Sequence, residues 1–152
     1  MKRIAAITFL ALAAACGAPQ SQPQETGALE VREAWAAPTP AGIDVAAGYL
    51  TIANGAGADD RLIAVSSPRA VSVEMHEMSM DGDVMRMRAV EGVAIPAGGS
   101  VAFGPSGLHL MFTGVTAPFL EGEEIPLTLT FETAGAFEIL LPVHAGAAHA
   151  TH

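Results

Sequence analysis

Four side chains with metal-ligating chemistry stand out in this chain by their types and spacing. His76, Met87, His109 and Met111 read H-x10-M-x21-H-x-M. A thioether sulfur is a soft, uncharged donor that selects Cu(I) among the first-row ions, and imidazole also suits copper. Two thioethers and two imidazoles together bring no ligand charge, which favours a soft monovalent ion over Zn(II) or Mg(II). The residue types therefore point to Cu(I). A blue-copper electron-transfer site would need a Cys thiolate beside two His. The single cysteine, Cys16, lies far upstream of the candidate ligands.

The distribution of sulfur and imidazole agrees. Of seven Met, five fall between positions 75 and 87 and another is Met111. A lone Met on a strand is ordinarily adaptable core filler, but this clustering coincides with both His outside the C-terminal end. Asp81-Gly82 lies between two strand-like runs and predicts a two-residue hairpin turn. In that register His76 opposes Met87 and Met78 opposes Met85 on one face. The other face pairs Glu77 with Arg86 and Met75 with Arg88. Opposed side chains have Cβ atoms about 4.5–5.5 Å apart, close enough for one ion. His109 and Met111 are two apart and share a strand face. Met78 and Met85 are reserve ligands, a soft entry path, or apolar cover. Glu74 and Glu77 are candidate acceptors for the His76 ring, as ligating imidazoles usually have one. His144, His149 and His152 form a separate C-terminal set, able to take Cu(II) if ordering the segment does not cost too much.

The N-terminus has an export pattern. Lys2 and Arg3 precede an apolar run over 4–15 that ends in small residues. Cys16 follows directly, as in a bacterial lipobox, where the cysteine is lipidated; the alternative is plain cleavage that leaves a free thiol. Residues 1–15 are read as the signal, 16–28 as a lipidated cysteine and flexible tether, 29–143 as the domain and 144–152 as a flexible tail. The expected location is the bacterial periplasm, with the membrane touched only through the lipid. Without the signal, five Arg face sixteen Asp and Glu, a formal charge of −11. That charge argues against nucleic acid and anionic lipid surfaces as partners.

About 115 residues remain for one domain with one core. Strands are expected at 29–35, 47–54, 61–66, 71–80, 83–90, 100–103, 108–113, 124–132 and 137–143. Alternation is clearest where Ile125, Leu127, Leu129 and Phe131 face one way and Thr128 and Thr130 the other. Short strands between Gly-, Pro- and Asp-rich breaks, with no long amphipathic helix, predict an antiparallel β-sandwich or barrel. Trp35 is expected in the core beside Tyr49. No nucleophile–base pair stands out, so an enzyme is not expected.

The chain resembles the periplasmic copper chaperone family PCu(A)C. The resemblance is carried by Ala47-Gly48-Tyr49, Asn54, His76-Glu77-Met78, Ile95-Pro96, the 107–111 segment Gly-Leu-His-Leu-Met and the closing strands with Ala134-Gly135. All four positions of that family's metal motif are present. The resemblance implies a single-domain, cupredoxin-like, Greek-key antiparallel β-sandwich that holds Cu(I) through His76, Met87, His109 and Met111. It further implies delivery of copper to cytochrome c oxidase, chiefly the dinuclear site of its subunit II, often alongside Sco-type thiol proteins; a monomer is expected. A periplasmic copper buffer or resistance protein without an oxidase client is the alternative. Relatives often carry an Arg near Trp35, where this chain has Ala36-Ala37.

Overall fold

The computed structural model describes residues 25–26 and 29–146. The expected signal, Cys16, His149 and His152 lie outside the described residues. Among the described residues the fold is all-β, as expected: eleven strands in two antiparallel sheets. The larger sheet runs β1 (Glu25–Thr26), β2 (Leu29–Ala36), β3 (Val45–Asn54), β9 (Leu108–Val115), β5 (Ala70–Asp81) and β6 (Val84–Val90), with β8 (Ser100–Phe103) also on β3. The smaller runs β11 (Gly135–Pro142), β10 (Glu124–Phe131), β4 (Asp60–Ser66) and β7 (Val93–Ile95). Strands β1 and β7 were not expected. Three residues of β7 are too few to show a period, and β1 falls in the segment read as tether.

The core lies between the sheets, where each contributes alternate residues. Leu50, Ile52, Leu110 and Phe112 come from the larger sheet, and Leu62, Ile125, Leu127, Leu129 and Leu141 from the smaller; all are essentially inaccessible. The period-2 pattern of β10 thus resolves as read.

Trp35 departs from expectation. A β-bulge between Arg32 and Trp35, with Glu33 at φ 51°, shifts the register by one residue. A slip of one turns every following side chain to the other face. Ala36 therefore enters the core, and Trp35 lies half-buried on the outer face, paired with Tyr49 at a ring-centroid distance of 4.5 Å.

One buried polar residue pins a loop. Asn54 donates from Nδ2 to the carbonyls of Ala58 and Ile95, both at 3.0 Å, and accepts from the Ala56 N–H at 2.9 Å. Asn54→Ala strands the buried Ile95 carbonyl, worth about 1–3 kcal/mol when unsatisfied, and removes the two part-buried bonds to Ala56 and Ala58. A loss of ~3 kcal/mol in chemical denaturation is expected; a loss below ~1 kcal/mol would show that water replaces the amide.

Candidate metal centre

Strand β9 runs beside β5, and their register sets His76 directly opposite His109. The two rings lie 5.9 Å apart, centroid to centroid, at 54°. On β9, Leu110 and Phe112 point into the core, so His109 and Met111 fall on the outer face. On β5, Val73 and Met75 point inward, leaving Glu74 and His76 outward. The two expected pairs thus share the outer surface of the larger sheet. Met111 opposes Glu74 on one side and Ala47 on the other.

The hairpin differs from expectation by two residues. The turn is Gly82-Asp83, and Met78 opposes Met87, Met80 opposes Met85, and His76 opposes Ala89. Gly82 has φ 64°, whereas neither Asp81 nor Asp83 has positive φ. That is the pattern of a type II′ turn, with Gly first; the Asp-Gly type I′ turn needs positive φ at both positions. A slip of two preserves every face. His76 and Met87 therefore remain on one surface, as diagonal neighbours, a relation that spans about 7–8 Å. The ion pairs on the reverse face move with the register. Arg88 binds Glu77 at 2.6 Å and Arg86 binds Asp81 at 2.9 Å, in place of Glu77 with Arg86. Met75 is buried and opposes Val90, not Arg88.

Both imidazoles are oriented by acceptors. His109 Nδ1 donates to the Gly107 carbonyl at 3.1 Å, which leaves the Nε2 lone pair available. His76 Nε2 donates to the Glu74 carboxylate at 2.9 Å, so its lone pair is on Nδ1. That Nδ1 is buried and has no hydrogen-bond partner. An unsatisfied buried acceptor costs about 1–3 kcal/mol, and a cation at this position would remove that cost. Among the described residues no three His, Cys, Asp or Glu side chains cluster as metal ligands. A further soft donor on this face next to the two rings is the thioether of Met111, two residues along β9 from His109.

A cleft of ≈ 300 Å³ flanks the pair, lined by Pro38, Pro40, Tyr49, Pro105, His109 and Met111, with Met78 also on its wall. The Pro38-Thr39-Pro40 run, legible in sequence only as a break, walls this cleft. Burial pushes the Tyr49 phenol up, which keeps that wall uncharged. Met87, by contrast, is about half exposed on β6. His144 lies just past β11 and stacks on Trp35 at 5.1 Å and 17°. It joins an aromatic group with Tyr49, not the His76–His109 pair.

The family described as "Putative lipoprotein LpqE-like" matches residues 29–143. "Putative lipoprotein Lxx21020" of Leifsonia xyli subsp. xyli is 27% identical over 125 residues, 82% of this chain and 74% of that protein. Among solved structures, the copper-bound PCuAC domain from PmoF2 aligns with a TM-score of 0.71 at 25% identity, covering 82% of this chain and 98% of that one. The Cu(I) form of DR1885 from Deinococcus radiodurans aligns at 0.61 with 24% identity, covering 84% and 83%. The chain belongs to the LpqE-like lipoprotein family, which is of PCuAC type.

Proposed function

We propose that this protein is a bacterial periplasmic copper chaperone that carries one Cu(I) on His76, Met87, His109 and Met111. The observation that carries this reading is the β5–β9 register, which sets two imidazoles opposite each other, 5.9 Å apart, beside Met111. Each ring has one nitrogen tied to an acceptor and the other unclaimed by any described side chain. The copper-bound PCuAC domain from PmoF2, on the same fold, is further support. The cargo is held by neutral donors, so the bound ion keeps its single positive charge and exchanges without displacing an anion.

Access favours transfer over storage. His109 is almost fully buried, whereas Met87 is half exposed on an edge strand. A recipient's ligand can replace Met87 first, while both imidazoles still hold the ion. The dinuclear copper site of cytochrome c oxidase subunit II, directly or through a Sco-type protein, is the proposed recipient. Lipidation at Cys16 would hold the carrier at the membrane where such a recipient lies.

The test is an anaerobic competition titration with Cu(I) against a chromogenic chelator; one ion per chain is expected. A deletion strain separates the two physiological readings. Loss of oxidase activity at low copper indicates a chaperone, and sensitivity to high copper indicates a buffer. Glu74 supplies a finer check, because the partner that orients a ligating imidazole is worth roughly 10–100-fold in metal affinity. Glu74→Ala is expected to weaken Cu(I) by that factor, measured in the same competition. An unchanged affinity would mean that the Glu74 contact does not orient His76.

A further inference from the structure

Methionine is among the side chains most often buried, yet Met80, Met85 and Met87 are 63%, 62% and 51% exposed. They occupy one face of the β5–β6 hairpin. The observed register makes two cross-strand thioether pairs, Met80 with Met85 and Met78 with Met87. The pairs stack as rungs about 7 Å apart along the strands. The lower rung borders the His76–His109 pair, and the upper rung ends at the Gly82-Asp83 turn. Among the described residues strand β6 pairs only with β5, and Val90 at its far end is its one residue packed against the core, so packing does not explain the sulfur of Met85 and Met87. The reverse face of the same hairpin is ionic, with Asp81–Arg86 and Glu77–Arg88. The solvent-facing sulfur of the hairpin is thus confined to the face that leads to the two imidazoles, Met75 alone turning into the core.

We infer that Met80 and Met85, with Met78 one rung below, form a second and weaker Cu(I) site at the hairpin tip. The ion lands there and moves rung by rung to the imidazoles. Opposed Cβ atoms about 4.5–5.5 Å apart let two thioethers converge on one soft ion. Without an imidazole, the tip binds less tightly than the inner site, which gives the transfer its direction. This extends the chaperone reading and rests on it for that direction.

The test is methyl NMR of the mature chain, labelled at the methionine ε-carbons and carrying Cys16→Ser so that no thiolate competes. Cu(I) alone is added anaerobically. The first equivalent is expected to shift the Met87 and Met111 methyls, and further Cu(I) to shift Met80 and Met85. The double variant Met80→Leu/Met85→Leu should abolish the second step and keep the first. Tip methyls that stay still through three equivalents, or that move together with Met87 and Met111 in the first, overturn the inference. If the tip methyls respond while Met87 and Met111 stay silent, the tip site stands and the four-residue inner site falls.

Discussion

Met111→Leu is expected to weaken Cu(I) binding by on the order of 100-fold or more, beyond the range lost when only an orienting partner of a ligand is removed. Leucine matches methionine in volume, and such exchanges usually cost less than about 1.5 kcal/mol of stability. Met111 is partly exposed on the outer sheet face, away from the Leu110 and Phe112 side chains that build the core. The substitution therefore removes one sulfur and little else. No charge changes, so long-range electrostatics cannot account for the loss. Met75→Leu is the matching control: Met75 is buried, one residue from His76 but on the opposite face. It should leave Cu(I) affinity unchanged. Chelator competition on both variants, with thermal unfolding of the apo forms, separates ligation from folding. Equal affinities for the two variants would remove Met111 from the ligand set.

The candidate ligand face was legible in sequence because its determinants are local. A residue two places along a strand returns to the same face, so His109 and Met111 could be grouped without knowledge of the fold. His76 and Met87 survived a wrong turn assignment for the same reason: the error was two residues, and only odd errors change faces. What the sequence could not supply was the neighbour of the hairpin. Residues from β5 and β9 are over thirty positions apart, and the crossovers between sheets decide that they pair. The opposition of His76 and His109 is a consequence of that topology. Trp35 failed for a related reason. Its face depends on a one-residue bulge at Glu33, and neither composition nor period marks that bulge. The cleft wall from Pro38 and Pro40 was likewise invisible, because a loop's position depends on what it packs against.

Phe112→Ala is expected to destabilise the apo domain by about 3–5 kcal/mol, the usual cost of emptying a fully buried phenylalanine site. Phe112 is inaccessible and meets Phe119 edge-to-face at 5.3 Å. Its ring also lies against the backbone of Gly48, where an added Cβ would come within 2.9 Å of Cε2. That close approach leaves little slack for neighbours to close the void, so the upper half of the range is expected. Against a total stability of roughly 5–15 kcal/mol for a domain, this is a large fraction. The strand places the loss beside the candidate centre, since Phe112 follows Met111 and fixes which way β9 presents its outer face. Apo Phe112→Ala should therefore unfold at much lower denaturant. Saturating Cu(I) should restore about 2.7 kcal/mol when the free ion stands at a hundredfold excess over its dissociation constant. The same ion should restore little to Met111→Leu, whose core is intact and whose ligand set is not. A Phe112→Ala variant that Cu(I) fails to stabilise would show that core packing at this position is itself a condition for the outer face to gather its ligands.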